Sequence, residues 1–370
     1  MRGLYVHIPF CLKKCNYCDF CSFDNLENGT RDKYIEALIR EIKSYKREEK
    51  LELNTVFFGG GTPSLLTPLE FSKIAAAIEE SFDLGTLEEW TLEANPKTLT
   101  REKLLAYRSA GVNRISIGLQ SIHENEMKKL GRIHNLADFE NALALTRSAG
   151  IDNINVDLMF GIPEQTKESF NKSLDYVLSL GISHISLYGL IIEENTPFGR
   201  MRDKLTLPSE DTEADMYFLA AKKLSDVGFS HYEISNYARQ GFPSRHNLIY
   251  WRREEYIGVG LAAHSLFEGE RFSNTEKLSE YLSQSAEQYR MKEKISPDDV
   301  AYEYAMLRLR LDEGFSLKEY EEKFAKSFLE GREEKLKNYE KLGLLRFSRD
   351  RISLTERGFY LSNAILSDLL

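Results

Sequence analysis

Six short segments rich in β-branched and aromatic residues alternate with amphipathic stretches along the first half of the chain. This alternation limits the possible folds more than any other feature. The segments are "GLYVHIPF" (3–10), "NTVFFGG" (54–60), "EEWTLEAN" (88–95), "RISIGLQS" (114–121), "NINVDLMFG" (153–161) and "HISLYGLI" (184–191). All are short and close near glycine, proline or asparagine, as strands do. Between the first two, Tyr34, Ile35, Leu38, Ile39, Ile42 and Tyr45 fall on one helical face. "TPLEFSKIAAAIEESF" opens with a threonine cap, a proline in the first turn and an early glutamate.

Repeated strand–helix units imply a parallel sheet with helices on its outer face. Six units without a clear seventh or eighth predict an α/β fold, a partial (β/α)6 TIM-like barrel. In such sheets chemistry sits at the carboxyl ends of the strands. Here those ends carry Cys11, "GGGTP", "EANP", "LQS" and "DLMFG". The unusual residues therefore converge on one mouth.

The pattern changes after residue 200. Residues 1–200 read as the barrel, 201–290 as a connecting region and 291–370 as a terminal domain. "RMRDKLTLPSE" is a linker and 211–227 a helix, whereas 231–275 shows little periodicity. From about 291 the chain is mostly helical, with "GLLRFSRDRISLTERG" as two short strands around a turn. That order is winged-helix-like. The segment holds 15 basic and 16 acidic residues, so it lacks the cationic face that phosphate contact needs, and a packing or interaction module is favoured over DNA binding.

The whole chain of 370 residues carries 49 basic and 58 acidic residues, a net charge of −9 that argues against nucleic-acid binding. At 42% hydrophobic residues it can build a core without disulfides. Its N-terminal apolar stretch is broken by His7 and Pro9 and is not expected to be a signal peptide. No apolar run has the length of a transmembrane segment. A cytoplasmic location with reduced thiols is expected.

All four cysteines lie in "HIPFCLKKCNYCDFCSF" (7–23). Cys11, Cys15 and Cys18 are spaced C-x3-C-x2-C, and Cys21 follows three positions on. Structural zinc prefers paired ligands with a second pair further along, which this sequence does not offer, although a knot of all four stays open. Buried inert thiols fit poorly in so polar a segment. An iron–sulfur cluster fits best, because cubane clusters take thiolates from closely spaced cysteines.

C-x3-C-x2-C after a first strand, with Tyr17 before the third cysteine, resembles the signature of the radical S-adenosylmethionine superfamily. The resemblance implies a [4Fe–4S] cluster held by Cys11, Cys15 and Cys18, with S-adenosylmethionine on the fourth iron. It also implies that "FFGGGTPS" contacts the methionine part of that cofactor through Gly60, Gly61 and Thr62. "TLEANP", "GLQS", "LGRIHN" and "VDLMFG" are similar to the branch holding the oxygen-independent coproporphyrinogen III oxidases and the HemW-type haem chaperones. By that similarity Tyr5, Tyr17, Glu93, Gln120, Arg132 and Asp157 line the nucleotide. "GVGLAA" (258–263) mimics a dinucleotide fingerprint but lacks the following helix.

Two features point to the chaperones rather than the oxidases. The extra cysteine lies three positions after Cys18, not two, and "HNLIYW" (246–251) matches the chaperones' H-N-x-x-Y-W pattern. The resemblance implies that His246 associates with haem, while the residues alone favour a loop-anchoring role for His246 and Asn247. His7, His123, His134, His184, His231 and His264 carry no assignment. The expected partners are haem and acceptor hemoproteins, including those of the respiratory chain, with a homodimer left open. The alternative is coproporphyrinogen III decarboxylation by a radical mechanism.

Overall fold

The computed structural model describes residues 1–283, 285, 288 and 290–370. Six strands form where the alternation predicts them: β1 (Arg2–Ile8), β2 (Thr55–Gly60), β3 (Glu89–Ala94), β4 (Arg114–Gln120), β5 (Asn153–Phe160) and β6 (His184–Gly189). Each pairs in parallel with the next. The returns run through α1 (Thr30–Ser44), α2 (Pro68–Ser81), α3 (Arg101–Ser109), α4 (Leu136–Ser148) and α5 (Lys167–Ser179). At the start of α2, Thr67 and Glu70 close a reciprocal capping box, which satisfies two amide donors that the first turn would otherwise leave bare.

The region 201–290, whose stretch 231–275 shows little periodicity, extends this sheet at both ends. After α6 (Glu210–Asp226), β7 (Ser230–Glu233) and β8 (Asn236–Ala238) join antiparallel beyond β6. A short helix α7 (Arg245–Trp251) then leads to β9 (Glu255–Val259), which pairs in parallel with the free edge of β1. β10 (His264–Phe267), β11 (Glu270–Ser273) and β12 (Met291–Glu293) complete an antiparallel wing. Among the described residues the order is β12-β11-β10-β9-β1-β2-β3-β4-β5-β6-β8-β7. These added strands are only three to five residues long, too short for a period of two to stand out. Their pairing is dictated by the sheet edge they meet.

Alternation sorts the barrel strands into an apolar outside and a polar inside. Leu4, Val56, Trp90, Ile115, Val156 and Ile185 belong to one buried core shared with the helices. Trp90 lies between Phe58, at 6.1 Å, and Phe71, at 6.2 Å; its truncation to alanine costs about 3–5 kcal/mol by the usual scale for large core aromatics. The intervening residues face the lumen. There Asn155 Nδ2 donates to Ser116 Oγ and to Asp157 Oδ1, both at 2.7 Å, and Asn155 Oδ1 lies 2.6 Å from His184 Nδ1. TIM barrels usually fill this space with branched aliphatic side chains. A lumen of hydrogen-bonded polar groups is suited to a polar guest.

One carboxylate ties the first helix to the wing. Glu41 lies on the apolar face of α1, almost wholly buried. It accepts from Gly260 N, Asn274 Nδ2 and the Tyr281 hydroxyl at 2.7–2.8 Å. These donors offset the burial that raises its carboxyl above the ordinary range.

The terminal segment has a core of its own, built from Ala301, Tyr304, Phe315, Ile352, Phe359 and their neighbours. Its order is a helix (Pro297–Arg308), a two-residue strand, two helices (Leu317–Phe324 and Glu333–Lys341) and a hairpin (Leu345–Ser348 with Arg351–Leu354). This is the winged-helix-like order. It leans on the barrel through His231 of β7, whose Nδ1 lies 3.0 Å from both Glu356 carboxylate oxygens.

Candidate functional site

The loop after β1 is pinned on two sides. Cys11 N donates to Phe23 O at 2.9 Å and Phe23 N to Pro9 O at 2.7 Å, so the loop returns on itself. Asn16 then fastens its middle, its backbone N donating to Leu130 O at 2.9 Å and its Nδ2 to Lys129 O at 2.7 Å. Gly131 is glycine for this reason: it has φ +75°, and a Cβ there would meet the Asn16 side chain at 3.1 Å.

All four cysteines are free and partly exposed. The Thr62 hydroxyl donates to Cys11 Sγ at 3.7 Å, and Arg132 Nη1 to Cys15 Sγ at 3.5 Å. Burial raises the Cys11 and Cys18 thiols; Cys15 pushes both up further, and Cys11 acts on Cys18 as well. Cys21 stands apart: burial and then Glu276 raise it, and its Sγ faces Glu276 O at 4.0 Å. Among the described residues no three His, Cys, Asp or Glu side chains stand close enough to share one metal ion, as a mononuclear zinc centre requires. Three closely spaced free thiols, one of them beside a cationic guanidinium, are a donor set that suits an anionic iron–sulfur cluster.

The glycine run ends β2 beneath this loop. Gly60 takes φ +110°, and a Cβ there would lie 2.6 Å from the His7 ring, while one on Gly61 would lie 2.7 Å from Phe10 O. The backbone here packs against the cysteine loop as only glycine allows. His7 fixes the arrangement, with Nδ1 3.0 Å from the Tyr5 hydroxyl and Nε2 2.8 Å from Cys21 O.

Across the lumen the structure brings Tyr17, Gln120, Arg132 and Asp157 together. Gln120 is not glycine, yet it has φ +69° at the end of β4, where the register with β5 slips by one residue. Such a bulge re-aims a side chain at some conformational cost. Arg132 Nη2 donates to Gly118 O at 2.7 Å, but its buried Nε has no partner among the described residues. Burial works to lower the Arg132 guanidinium; Tyr17, Cys15 and Asp157 outweigh it and raise it. An unpaired guanidinium N–H at the mouth fits a carboxylate such as that of the nucleotide's methionine.

Glu93 reaches into the same space from β3. Burial, then the charge of Asp157, pushes its carboxyl up to about 8, although the Gly60 N–H works against this. Asp157 is likewise raised by burial, partly offset by its Asn155 and Ser186 hydrogen bonds. Two buried carboxyls raised in this way fit a cationic guest, which would relieve both.

His246 is placed elsewhere. It belongs to α7, whose N-terminal amides of Arg245 and His246 donate to the Glu89 carboxylate at 2.9 and 3.1 Å at the amino end of β3. Its ring is wholly buried, with Nδ1 2.7 Å from Thr55 Oγ1 and Nε2 2.7 Å from the Tyr250 hydroxyl. So placed, it presents no free ring nitrogen to an iron. The ring packs beneath the barrel and holds Tyr250.

The region between β1, β2 and the β9–β10 turn contains a cavity of about 430 Å³. Tyr5, Gly60 and Glu93 line its inner end, and Phe20, Cys21, Tyr250, Tyr256 and His264 its outer part. In the sequence His264 carries no assignment. A lone histidine in an aperiodic stretch gives no signal until the sheet places it.

Comparison with known proteins agrees with this geometry. Residues 5–177 match the Radical SAM superfamily and residues 295–361 the HemN C-terminal domain. The solved coproporphyrinogen III oxidase HemN of Escherichia coli superposes with a TM-score of 0.84, over 100% of this chain and 89% of that one, at 24% identity. That likeness establishes the fold. Two relatives decide the family: a heme chaperone HemW of Lactococcus lactis is 38% identical over 100% of this chain and 97% of its own length, and that of Bacillus subtilis 36% over 100% and 99%. The chain belongs to the HemW family. As a radical SAM protein of the HemW family it has, by implication, a [4Fe–4S] cluster and S-adenosylmethionine.

Proposed function

We propose that this chain is a haem chaperone that binds haem and delivers it to acceptor hemoproteins. In this reading Cys11, Cys15 and Cys18 hold the cluster, and Tyr5, Tyr17, Gly60, Gly61, Thr62, Glu93, Gln120, Arg132 and Asp157 surround the nucleotide. The cluster and S-adenosylmethionine, when bound, supply one-electron chemistry. The chain's own residues orient the guests: Arg132 pairs with a carboxylate, Glu93 and Asp157 receive cationic or hydroxyl groups, and the glycine run admits close backbone approach. The observation that carries the reading is the placement of the C-x3-C-x2-C thiols at the mouth, with Thr62 against Cys11 and Arg132 against Cys15, on a chain alike over its full length to heme chaperone HemW proteins.

The acceptors we favour are respiratory hemoproteins, reached from the cytoplasm by a monomer or homodimer. Among the described residues no helix is long and apolar enough to cross a membrane. The test is anaerobic reconstitution followed by titration with haemin, then mixing with an apo-hemoprotein. Saturable haem binding and transfer to the acceptor are expected, without conversion of coproporphyrinogen III. Conversion of that substrate would establish the oxidase reading instead.

A further inference from the structure

We propose that Asn155, His184 and Tyr232 are positioning residues for the nucleotide: a one-way chain of hydrogen bonds runs through them from the start of α7 and fixes the Asp157 carboxylate. The inference rests on the reading that Asp157 meets S-adenosylmethionine, and extends it to residues outside the set given to the nucleotide.

The chain begins at Ser244, the buried cap of α7. Its backbone N donates to the Tyr232 hydroxyl oxygen at 3.0 Å, and that hydroxyl lies 2.8 Å from His184 Nε2. His184 Nδ1 lies 2.6 Å from Asn155 Oδ1, and Asn155 Nδ2 donates to Asp157 Oδ1 at 2.7 Å. His184 and Asn155 are both buried.

Chemistry allows one direction through these four links. A backbone N–H can only donate, so Tyr232 accepts from Ser244 and gives its one hydrogen to His184. Burial keeps the imidazole neutral and the phenol protonated. Nε2 therefore accepts, and the ring hydrogen sits on Nδ1. Asn155 Oδ1 accepts from His184 and from Ser186 Oγ at 3.1 Å; its Nδ2 donates to Asp157 and to Ser116 Oγ at 2.7 Å. All four hydrogen-bonding positions of this amide are taken. Turning it over would set its oxygen against the carboxylate and its hydrogens against the Nδ1–H.

An aspartate without such a partner swings about its own side-chain bonds. Held through Asn155, Asp157 keeps one carboxylate orientation, and the hydrogen bond also works against the burial that raises its carboxyl. A site ordered beforehand spares its guest that cost. Branched aliphatic side chains would fill a barrel that needed only packing; this lumen instead carries a directed chain that ends on a nucleotide-facing acid.

The test uses the full-length chain after anaerobic reconstitution. S-adenosylmethionine binding is measured by equilibrium dialysis, and the ring nitrogens are read by NMR of protein carrying isotope-labelled histidine. His184 should bear its hydrogen on Nδ1, its signal being the one lost in His184→Gln. Asn155→Asp keeps the shape but turns the donor into an acceptor; it should weaken nucleotide binding at least about tenfold with iron content unchanged. Tyr232→Phe keeps the ring and cuts the chain at its far end, which should weaken binding about threefold. Added to Asp157→Asn, the same Tyr232→Phe change should have no further effect, whereas a merely structural tyrosine would act equally in both backgrounds. Tyr232→Phe and the His184 reading remain decisive where Asn155→Asp does not fold. The proposal is overturned by a hydrogen on Nε2 of His184, by unaltered affinity in a folded Asn155→Asp variant, or by an equal effect of Tyr232→Phe with and without Asp157. A wild-type chain that binds no S-adenosylmethionine overturns the nucleotide reading itself; the His184 hydrogen is located without nucleotide, so the two failures are told apart.

Discussion

His246 Nδ1 lies 2.7 Å from Thr55 Oγ1, which locks a helix to the amino end of a barrel strand 191 residues earlier in the chain. The opposite ring nitrogen holds Tyr250. Removing the ring leaves a void and takes their partner from the buried Thr55 hydroxyl and the half-buried Tyr250 hydroxyl. His246→Ala should therefore lose about 2–4 kcal/mol of stability in urea unfolding, and Thr55→Val about 1–2 kcal/mol. Losses below about 0.5 kcal/mol, the scale of ordinary surface changes, would show that the ring is not structural.

Buried neutral histidines set an acid limit. Burial, then the charge of Arg114, lowers His246 from 6.5 to about 3; burial and Arg132 lower His134 to about 3; and burial places His184 well below 6.5. The unfolded chain takes up these protons below pH 6.5 and the fold does not. Stability should therefore fall as the pH drops from 6.5 towards 3, by at most about 1.4 kcal/mol per pH unit for each histidine. Denaturant midpoints between pH 7 and pH 4 check this. A flat profile would contradict the burial of the three rings.

Glu93 has the opposite sign. Its carboxyl is raised from 4.5 to about 8 by burial first and Asp157 second, so the fold holds a proton that the unfolded chain releases. The stability it contributes is present below 4.5 and lost as the pH rises towards 8. Glu93→Gln should be more stable than the parent at pH 8, with the difference vanishing near pH 4.5, and should bind S-adenosylmethionine more weakly. Thermal melts at the two pH values, with equilibrium dialysis of the nucleotide, separate the two effects.

Arg132→Lys tests the guanidinium. The planar fork spans Gly118 O and Cys15 Sγ and leaves Nε spare, which one ammonium cannot reproduce. We expect S-adenosylmethionine affinity to fall at least about tenfold while iron content is kept. Equal affinity in the two proteins would remove Arg132 from the nucleotide site.

Cysteine substitutions divide three to one. Cys11→Ala, Cys15→Ala and Cys18→Ala should each abolish iron and sulfide incorporation on anaerobic reconstitution. Cys21→Ala should incorporate both, since its Sγ faces Glu276 O, 4.0 Å away. Loss of iron from the Cys21 variant would make the centre fully protein-ligated.

The barrel could be read from the chain because each strand carries its own alternation and ends at a residue that stops it. "RISIGLQS" foretold β4 within one residue. β9 could not be read in this way: "EYIGV" is five residues long, and Gly258 is there because a Cβ would come 2.1 Å from His264 O. That constraint comes from a neighbouring strand, and no local pattern records it. The site divides likewise. The thiols and glycines sit in spaced motifs, whereas the orphaned Arg132 Nε becomes meaningful only once distant segments meet. His246 stood in a conspicuous motif, but its burial under Thr55 was not visible in one dimension.

The main apolar core of β1 to β6 lies on their outward face, and this has a consequence for assembly. Whatever drives collapse acts at the helix-facing surface, so the scaffold can complete itself before any guest arrives. Maturation is then a separate, later event, and an empty polypeptide is a competent recipient rather than a casualty of missing supply.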